Sequence, residues 1–185
     1  MLKRYFALLV VLSLLSCKSK EDKMFFDFDT VEYYSLKKEK EKEMYENDQK
    51  GINDPVFANV LYNESPEDLN NEKFATTINS TGFSKYTLLK NDVEELRNDI
   101  FIEKMSFKAF YYRYACAPEY RDILVFKKQN KTTGIAKICL SCKQYYLVSS
   151  KKNIEIENFG TKDEFVYLEK LFRLYKDKKT RKTVL

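Results

Sequence analysis

The chain of 185 residues has no histidine and no tryptophan, and it contains only four glycines and three prolines. The lack of histidine excludes Ser-His-Asp and Cys-His catalysis, and it excludes imidazole as a metal ligand or general base. The glycines are scattered, so no glycine-rich loop is present to cradle a phosphate. The formal net charge is only +5, which does not indicate a dedicated nucleic-acid-binding protein.

The composition instead favours one packed domain. Hydrophobic residues make up 44% of the chain and aromatic residues 15%, far more than a disordered chain normally contains. The length is that of a single domain of ordinary size. We therefore expect a folded core, although nothing in the composition identifies a reaction.

Residues 1–17 have the features of a targeting signal. Lys3 and Arg4 precede an apolar run from Tyr5 to Leu15. That run is shorter than the roughly 20 residues that a membrane-spanning helix needs, so a cleaved signal peptide over residues 1–16 fits it better.

The end of this signal, Leu14-Leu15-Ser16-Cys17, resembles the bacterial lipobox. The resemblance implies that Cys17 is diacylated and becomes the first residue after cleavage. Two or more acyl chains hold a protein stably on a bilayer, whereas one chain does so only marginally. We expect a lipid anchor at Cys17 and attachment to the cell envelope, with an ordinary secretory peptide as the alternative.

Residues 17–24 are interpreted as the lipidated tether. Lys20-Glu21-Asp22 is similar to the short signal that exports flavobacterial lipoproteins to the cell surface, although a solvated linker explains the same charges. We expect the outer membrane, with the domain facing the periplasm or the cell surface.

The spacing of apolar residues predicts a small α+β domain over residues 25–178. Phe25 to Leu36 is typical of a strand. Asp122–Lys127 and Ile135–Leu140 predict a hairpin with its turn over Lys128–Gly134, and Gln144–Ser150 predicts a third strand of a β-meander.

The C-terminal helix of this domain has the clearest signature. Thr161 and Glu164 have the spacing of a capping box, and the residues after them form one apolar stripe at helical spacing. We expect this helix to pack across the meander and residues 179–185 to form a basic tail. The stripe consists of Phe165, Leu168, Leu171, Phe172 and Tyr175.

Other segments give weaker predictions. Asn91–Ile100 predicts a helix capped by Asn91, and Lys37–Lys50 predicts an exposed helix or loop. The stretch from Asn53 to Asn71 is polar and rich in asparagine, which favours a loop around the short apolar piece Val56–Tyr62. The aromatic stretch Phe101–Tyr114 favours a strand.

Cys116, Cys139 and Cys142 are the residues with the most distinctive chemistry. The predicted hairpin places Cys139 opposite Ile123 or Leu124 and brings all three thiols to one end of the hairpin. One interpretation is a disulfide from Cys116 to Cys139 or Cys142, which an exported chain would form and retain.

Three other interpretations of these cysteines stay open. Cys139-Leu140-Ser141-Cys142 has metal-ligand spacing, but a structural zinc site would need a fourth ligand from Asp122 or Glu119. The same pair could act in thiol redox catalysis, although a strand follows it where redox motifs have a helix. The cysteines could also stay unpaired and pack as small hydrophobic side chains.

Residues 116–142 resemble a group of small lipoproteins of Bacteroidetes and flavobacterial type that has no established activity. Tyr120 to Lys128 and Gly134 to Cys142 carry the resemblance, and Phe159-Gly160 with the following helix extends it. The resemblance implies an envelope location and a cysteine pattern, but no catalytic residues.

Together these features predict a membrane-anchored lipoprotein of the bacterial envelope, with no cofactor and no catalytic residue. We expect it to bind an unknown ligand or envelope protein without catalysis. The alternative is a thiol-dependent redox or metal-binding protein that uses Cys116, Cys139 and Cys142.

Overall fold

A computed structural model describes residues 23–52, 54–69, 73–103, 116–152, 154 and 159–182. Within these ranges the chain forms an antiparallel sheet of five strands with helices on both faces. The expected α+β fold, with a meander packed against a C-terminal helix, is confirmed. The predicted signal peptide, Cys17 and most of the tether lie outside the described residues.

The sheet has the strand order β3-β2-β5-β6-β7, and β1 pairs with β4 in a separate ribbon. The order places β5 at the centre between β2 and β6, and residues 122–126 of β5 and 134–139 of β6 are all buried. The strands are β1 (Lys23–Met24), β2 (Thr30–Leu36), β3 (Phe83–Thr87), β4 (Ile102–Glu103), β5 (Asp122–Lys128), β6 (Lys131–Cys139) and β7 (Gln144–Ser149).

The helices divide between the two faces. A π-helical turn (Leu96–Ile100) extends the fourth helix. The helices are α1 (Lys38–Gln49), α2 (Pro55–Leu61), α3 (Lys73–Ser80), α4 (Lys90–Glu95) and α5 (Lys162–Lys182).

One side of the sheet, called here the α5 face, packs against α5, α4 and the segment before β2. Alternate residues of a strand point to opposite faces, so Tyr33, Leu124 and Ala136 lie together on this side. The predicted apolar stripe of α5 is buried against them. Gly160 N and Thr161 N each donate to the Glu164 carboxylate at 2.7 Å, and Glu164 N donates to Thr161 Oγ1, as in the expected capping box.

The opposite side, called here the α1–α3 face, is covered by three shorter helices. Tyr34, Ile123, Val125 and Ile135 point to this side of the sheet. The covering side chains are Met44 of α1, Phe57, Val60 and Leu61 of α2, and Phe74 and Ile78 of α3.

The predicted loop over residues 53–71 is wrong in its central part. Asp54 accepts hydrogen bonds from Val56 N and Phe57 N, and Pro55 occupies the first helical position, so α2 has a capped start. The apolar residues there were recognisable from the sequence, but Asp54 and Pro55 were not interpreted as the start of a helix. No element was predicted for α3 or for the edge strand β3.

Two further predictions need correction. The β5–β6 turn is tight, with Gln129 and Asn130 at positive φ, and β6 begins at Lys131 rather than Ile135. The short turn, together with a register shift between Phe126 and Lys127, pairs Ile123 with Lys137. Cys139 therefore lies past the paired end of β5 and pairs with Gln144 of β7. Asn91 does not cap α4, since Leu89 occupies the N-cap position.

Three other boundaries differ from expectation. The predicted first strand begins at Thr30, with only Lys23–Met24 paired before it. Of the predicted aromatic strand, Ile102–Glu103 is a strand and residues 104–115 lie outside the described residues. The C-terminal helix continues to Lys182, past the expected boundary at residue 178.

Candidate functional site

Cys116 and Cys142 form a disulfide at one end of the sheet. Their Cα atoms are 6.2 Å apart, and they are separated by 26 residues in sequence. Cys116 precedes β5 and is exposed, whereas Cys142 lies in the turn between β6 and β7 and is buried. The bond therefore ties the segment before β5 to the β6–β7 turn.

Cys139 is the free cysteine of this group, and it is 1% exposed. It ends β6, where its Sγ lies 3.4 Å from Ser141 Oγ. Tyr120, Cys139 and Cys142 form a small apolar cluster, with Tyr146 packed against it. Each of the three predicted cysteines is thus brought to the same end of the sheet, but their environments differ.

This arrangement limits the chemistry of the Cys139–Cys142 pair. Cys139 ends β6, and Cys142 lies within the four-residue turn that leads to β7. A strand and not a helix therefore follows this pair, unlike the pairs of redox motifs. Among the described residues, no group of three Cys, Asp or Glu side chains is close enough to hold a metal ion. Of the carboxylates considered as a fourth ligand, Glu119 pairs with Arg121, and Asp122 pairs with Lys176.

Lys137 is buried beside this cluster. It lies two residues before the end of β6, on the face that carries α2, and it is 0% exposed. Its Nζ donates to the backbone carbonyl of Asn63 and lies 3.5 Å from that of Asn59. The rings of Tyr120 and Tyr146 complete the enclosure, with their centroids 4.7 Å and 5.9 Å from Nζ.

The surroundings of Lys137 disfavour its charged form. Burial lowers the pKa of the amine to about 7, and Glu64 opposes that shift only in part. Two carbonyls and two aromatic faces replace water, but no carboxylate forms an ion pair with Lys137 among the described residues. The amine therefore titrates near neutral pH inside the core.

A second buried polar group lies at the α5 face. Tyr33 Oη donates to Asp122 at 2.5 Å, and Lys176 of α5 lies 2.8 Å from the same carboxylate. Burial and the neighbouring Asp122 raise the pKa of Tyr33. The ring of Tyr33 also stacks on Phe172 at 4.6 Å, so this polar contact holds the C-terminal half of α5 against the sheet.

Lys176 borders a cleft of about 700 Å³ between α5 and the β2–α1 junction, called here the helix cleft. Its walls carry cations such as Lys38 and Arg173 and carboxylates such as Glu39 and Glu169. Because both signs of charge line the cleft, its electrostatics do not select one class of ligand.

A cavity of about 570 Å³ lies on the α1–α3 face, next to the β5–β6 turn, and is called here the turn cavity. Val125, Ile135 and Phe74 contribute apolar side chains to it. Lys127 and Lys131 lie at its polar side. The sheet and α3 form walls of this cavity, and the charged side chains of its described lining are all cationic.

Lys137 and the two cavities were missed by sequence reasoning. Lys137 had a detectable signal, because it interrupts the apolar run from Ile135 to Leu140 in a predicted strand with two buried faces. The turn cavity had none, because its walls come from α3 and a hairpin far away in sequence.

The predicted anchor residue, Cys17, lies outside the described residues. In the part of the chain that the structure describes, no helix is both long enough and apolar enough to span a membrane. Comparison with known proteins finds no matching family model, no similar curated protein and no similar solved structure.

Proposed function

We propose that this chain is a lipid-anchored binding protein of the bacterial envelope, held on the outer membrane by acylated Cys17 and acting without catalysis. The observation that carries the proposal is the disulfide between Cys116 and Cys142. Disulfides form and persist in exported proteins and are rare in the cytosol. The bond therefore supports the export that the signal sequence predicts.

The state of the cysteines also favours binding over thiol chemistry. Two of the three domain thiols are joined, and the third, Cys139, is buried. A reactive cysteine is normally accessible and in electropositive surroundings. In this proposal the cysteine cluster supports the fold, and a cavity elsewhere in the domain binds the ligand.

The first experiment counts thiols. The chain carrying Cys17→Ala is exported to a periplasm, alkylated under denaturing conditions without reductant, and weighed intact. We expect one label, on Cys139, and none in the matched Cys139→Ser variant. Three labels in the Cys17→Ala chain would contradict the disulfide and would make metal analysis of the native protein the next step.

The second experiment tests the anchor. Membranes from cells that express the wild-type chain are washed with carbonate and compared with membranes from Cys17→Ala cells. We expect only the wild-type chain to remain in the pellet, and Cys139→Ser to behave like wild type. Retention of the Cys17→Ala chain after the wash would overturn the lipid anchor.

A second candidate function is thiol–disulfide exchange, and the exposure of Cys116 is the observation that favours it. A thiolate of a reduced partner dithiol would attack Cys116 Sγ, and Cys142 would leave as a thiolate. The second thiol of the partner would then displace Cys116, so that the partner is oxidised and this chain is reduced by two electrons.

The two candidates are separated by alkylation kinetics on the reduced protein at neutral pH. Iodoacetamide labelling of any of the three cysteines faster than a free cysteine would favour exchange. Slow labelling at all three would exclude it and would leave the binding proposal as it stands.

A further inference from the structure

The turn cavity has an apolar floor made of side chains that are already excluded from water. Val125 of β5 is 0% exposed, Ile135 of β6 is 3% exposed, and Phe74 of α3 is 4% exposed. Its volume of about 570 Å³ is typical of small-molecule sites, which measure roughly 300–1,000 Å³. Such a floor favours a hydrocarbon group.

The polar side of the turn cavity carries cations and hydrogen-bond donors. Lys127, Asn130, Lys131 and Thr132 line it, and no carboxylate does so among its described lining residues. They cluster because the tight β5–β6 turn brings Lys131 opposite Lys128 and Thr132 opposite Lys127. A ligand that fits this side should carry a negative charge.

Lys127 is only partly neutralised by the protein. Its Nζ lies 2.7 Å from Glu32, but Lys85 lies at the same distance from the same carboxylate oxygen. Burial acts to raise the pKa of Glu32, yet hydrogen bonds from Lys127 and Lys85 outweigh it and leave that pKa below its ordinary value. One ionised carboxylate is thus shared by two ammonium groups, and the group of three stays positive.

We propose that the turn cavity binds a free carboxylate that carries a single hydrocarbon chain. The hydrocarbon lies against Leu69 and Ala75, the partly exposed apolar side chains of the lining, above the buried floor of Val125, Ile135 and Phe74. The carboxylate is held by Lys131 and Lys127. The ligand is a free amphiphile rather than a two-chain membrane lipid, because a volume of about 570 Å³ is of small-molecule size. This inference rests on the proposed binding function and gives that function a ligand class.

Binding should depend on both parts of the ligand. Each methylene that leaves water for the apolar floor should tighten binding about fourfold, until the cavity is full. Replacing the carboxylate by a neutral hydroxyl should weaken binding about tenfold, since the lysines would lose a charge-assisted hydrogen bond. A ligand with an ammonium group in place of the carboxylate should bind more weakly than the hydroxyl ligand.

The experiment uses the chain carrying Cys17→Ala and calorimetric titration with decanoate. Hexanoate tests the contribution of the hydrocarbon length, and decanol and decylammonium test the contribution of the negative charge. We expect decanoate to bind more tightly than each of the other three. Equal affinity of decanoate and decylammonium would overturn the cationic side of the site, and no binding of decanoate would overturn the proposal.

Two pairs of variants locate the site. Ala75→Trp places a large side chain at the cavity wall and should reduce decanoate affinity at least about tenfold, whereas Thr76→Trp on the exposed side of α3 should not change it. Lys131→Met should weaken binding several-fold, but Lys128→Met should not, because Lys128 lies 3.4 Å from Asp27 and does not line the cavity.

If the two variants of each pair change decanoate affinity equally, decanoate binds elsewhere and the proposed site is wrong. The outcome is separable from that of the proposed function. If decanoate does not bind while the thiol count and the carbonate wash give the expected results, the proposed ligand class is wrong. The proposal of a lipid-anchored, disulfide-bonded envelope protein is then retained.

Discussion

Both faces of the sheet bury hydrophobic side chains, but the α5 face buries more of them, and the two faces differ in how those side chains are held. On the α5 face, Phe26 stacks on Phe126 at 4.3 Å and Tyr33 stacks on Phe172 at 4.6 Å, within a continuous group of rings. On the α1–α3 face, the core is interrupted by the buried Lys137 and by the turn cavity. The first face is packed for stability, and the second face contains the features that stability alone does not explain.

Gly134 shows how tight the packing of the α5 face is. A Cβ atom at this position would lie 2.1 Å from Cδ1 of Phe26, closer than any side chain tolerates. The ring of Phe26 therefore fills the space above the backbone of β6. By contrast, the α1–α3 face leaves a cavity of about 570 Å³ beside the same strand.

The largest expected effect tests the α5 face. Phe126 is 0% exposed and contacts three other phenylalanine rings. Phe126→Ala should lower the free energy of unfolding by about 3–5 kcal/mol, because it removes buried surface and leaves a void. Urea denaturation measures the change, and Leu174→Ala on the exposed side of α5 is the control. If Phe126→Ala lowers the free energy of unfolding by less than Leu174→Ala does, the α5 face is not the stabilising one.

The next effect tests the α1–α3 face through pH. The pKa of Lys137 is about 7 in the folded chain and should return to its ordinary value, 10.5, on unfolding. Between these values the unfolded chain binds a proton that the folded chain does not, so stability rises with pH. We expect a rise of about 3 kcal/mol between pH 7 and about pH 9.5, below the range in which tyrosines titrate.

Lys137→Met is the variant that checks this assignment. Its free energy of unfolding should lack the alkaline rise, while Lys85→Met, at an exposed lysine, should keep it. An alkaline rise of the same size in Lys137→Met would assign the proton to another group.

The third effect concerns the disulfide. Reduction, or the double substitution of Cys116 and Cys142 by serine, should lower the free energy of unfolding by about 3 kcal/mol, because the 26-residue separation adds entropy to the unfolded chain. Thermal melts with and without reductant measure it. Cys139→Ser is the control, since its melting temperature should respond to reductant as wild type does. A melting temperature that is independent of reductant would argue against the bond.

The smallest effect compares one helix cap on each side of the sheet. Thr161→Ala at α5 and Asp54→Ala at α2 each remove a side chain that accepts from the first turn of a helix. Each should cost about 1 kcal/mol. Thr161→Ser, which keeps the acceptor, should cost less than Thr161→Ala. If Asp54→Ala costs far more, α2 depends on its cap more than on packing.

The elements that the sequence predicted well are those with strong local signals. The α5 stripe and its Thr161–Glu164 cap are as expected, because a helix with one apolar side is encoded in neighbouring residues. The β5–β6–β7 meander is also as expected in its strands, although its turn is shorter than predicted. The errors at residues 53–71 and at Asn91 arose at helices of only seven and six residues, which are too short to show a helical repeat of apolar positions.

The candidate site was predicted only in part. The gathering of Cys116, Cys139 and Cys142 at one end of the hairpin was expected from their spacing, but two pairings and several chemistries remained open. The tight turn at Gln129 and Asn130 and the register shift between Phe126 and Lys127 together decided the pairing, which places Cys139 past the end of β5 and Lys137 opposite Ile123. One turn and one irregularity thereby changed which residues are buried together.

The sequence by itself determined the fold class, the C-terminal helix and the absence of histidine chemistry, and it is the source of the proposal of a lipid anchor at Cys17. Those features depend on residue type, local spacing and the periodicity of apolar residues. Only the tertiary structure decided that Cys116 pairs with Cys142, that Lys137 is enclosed by two tyrosines, and that Lys127 and Lys131 lie beside an apolar cavity. These contacts join residues far apart in the chain, so they depend on register and packing, which local pattern does not specify.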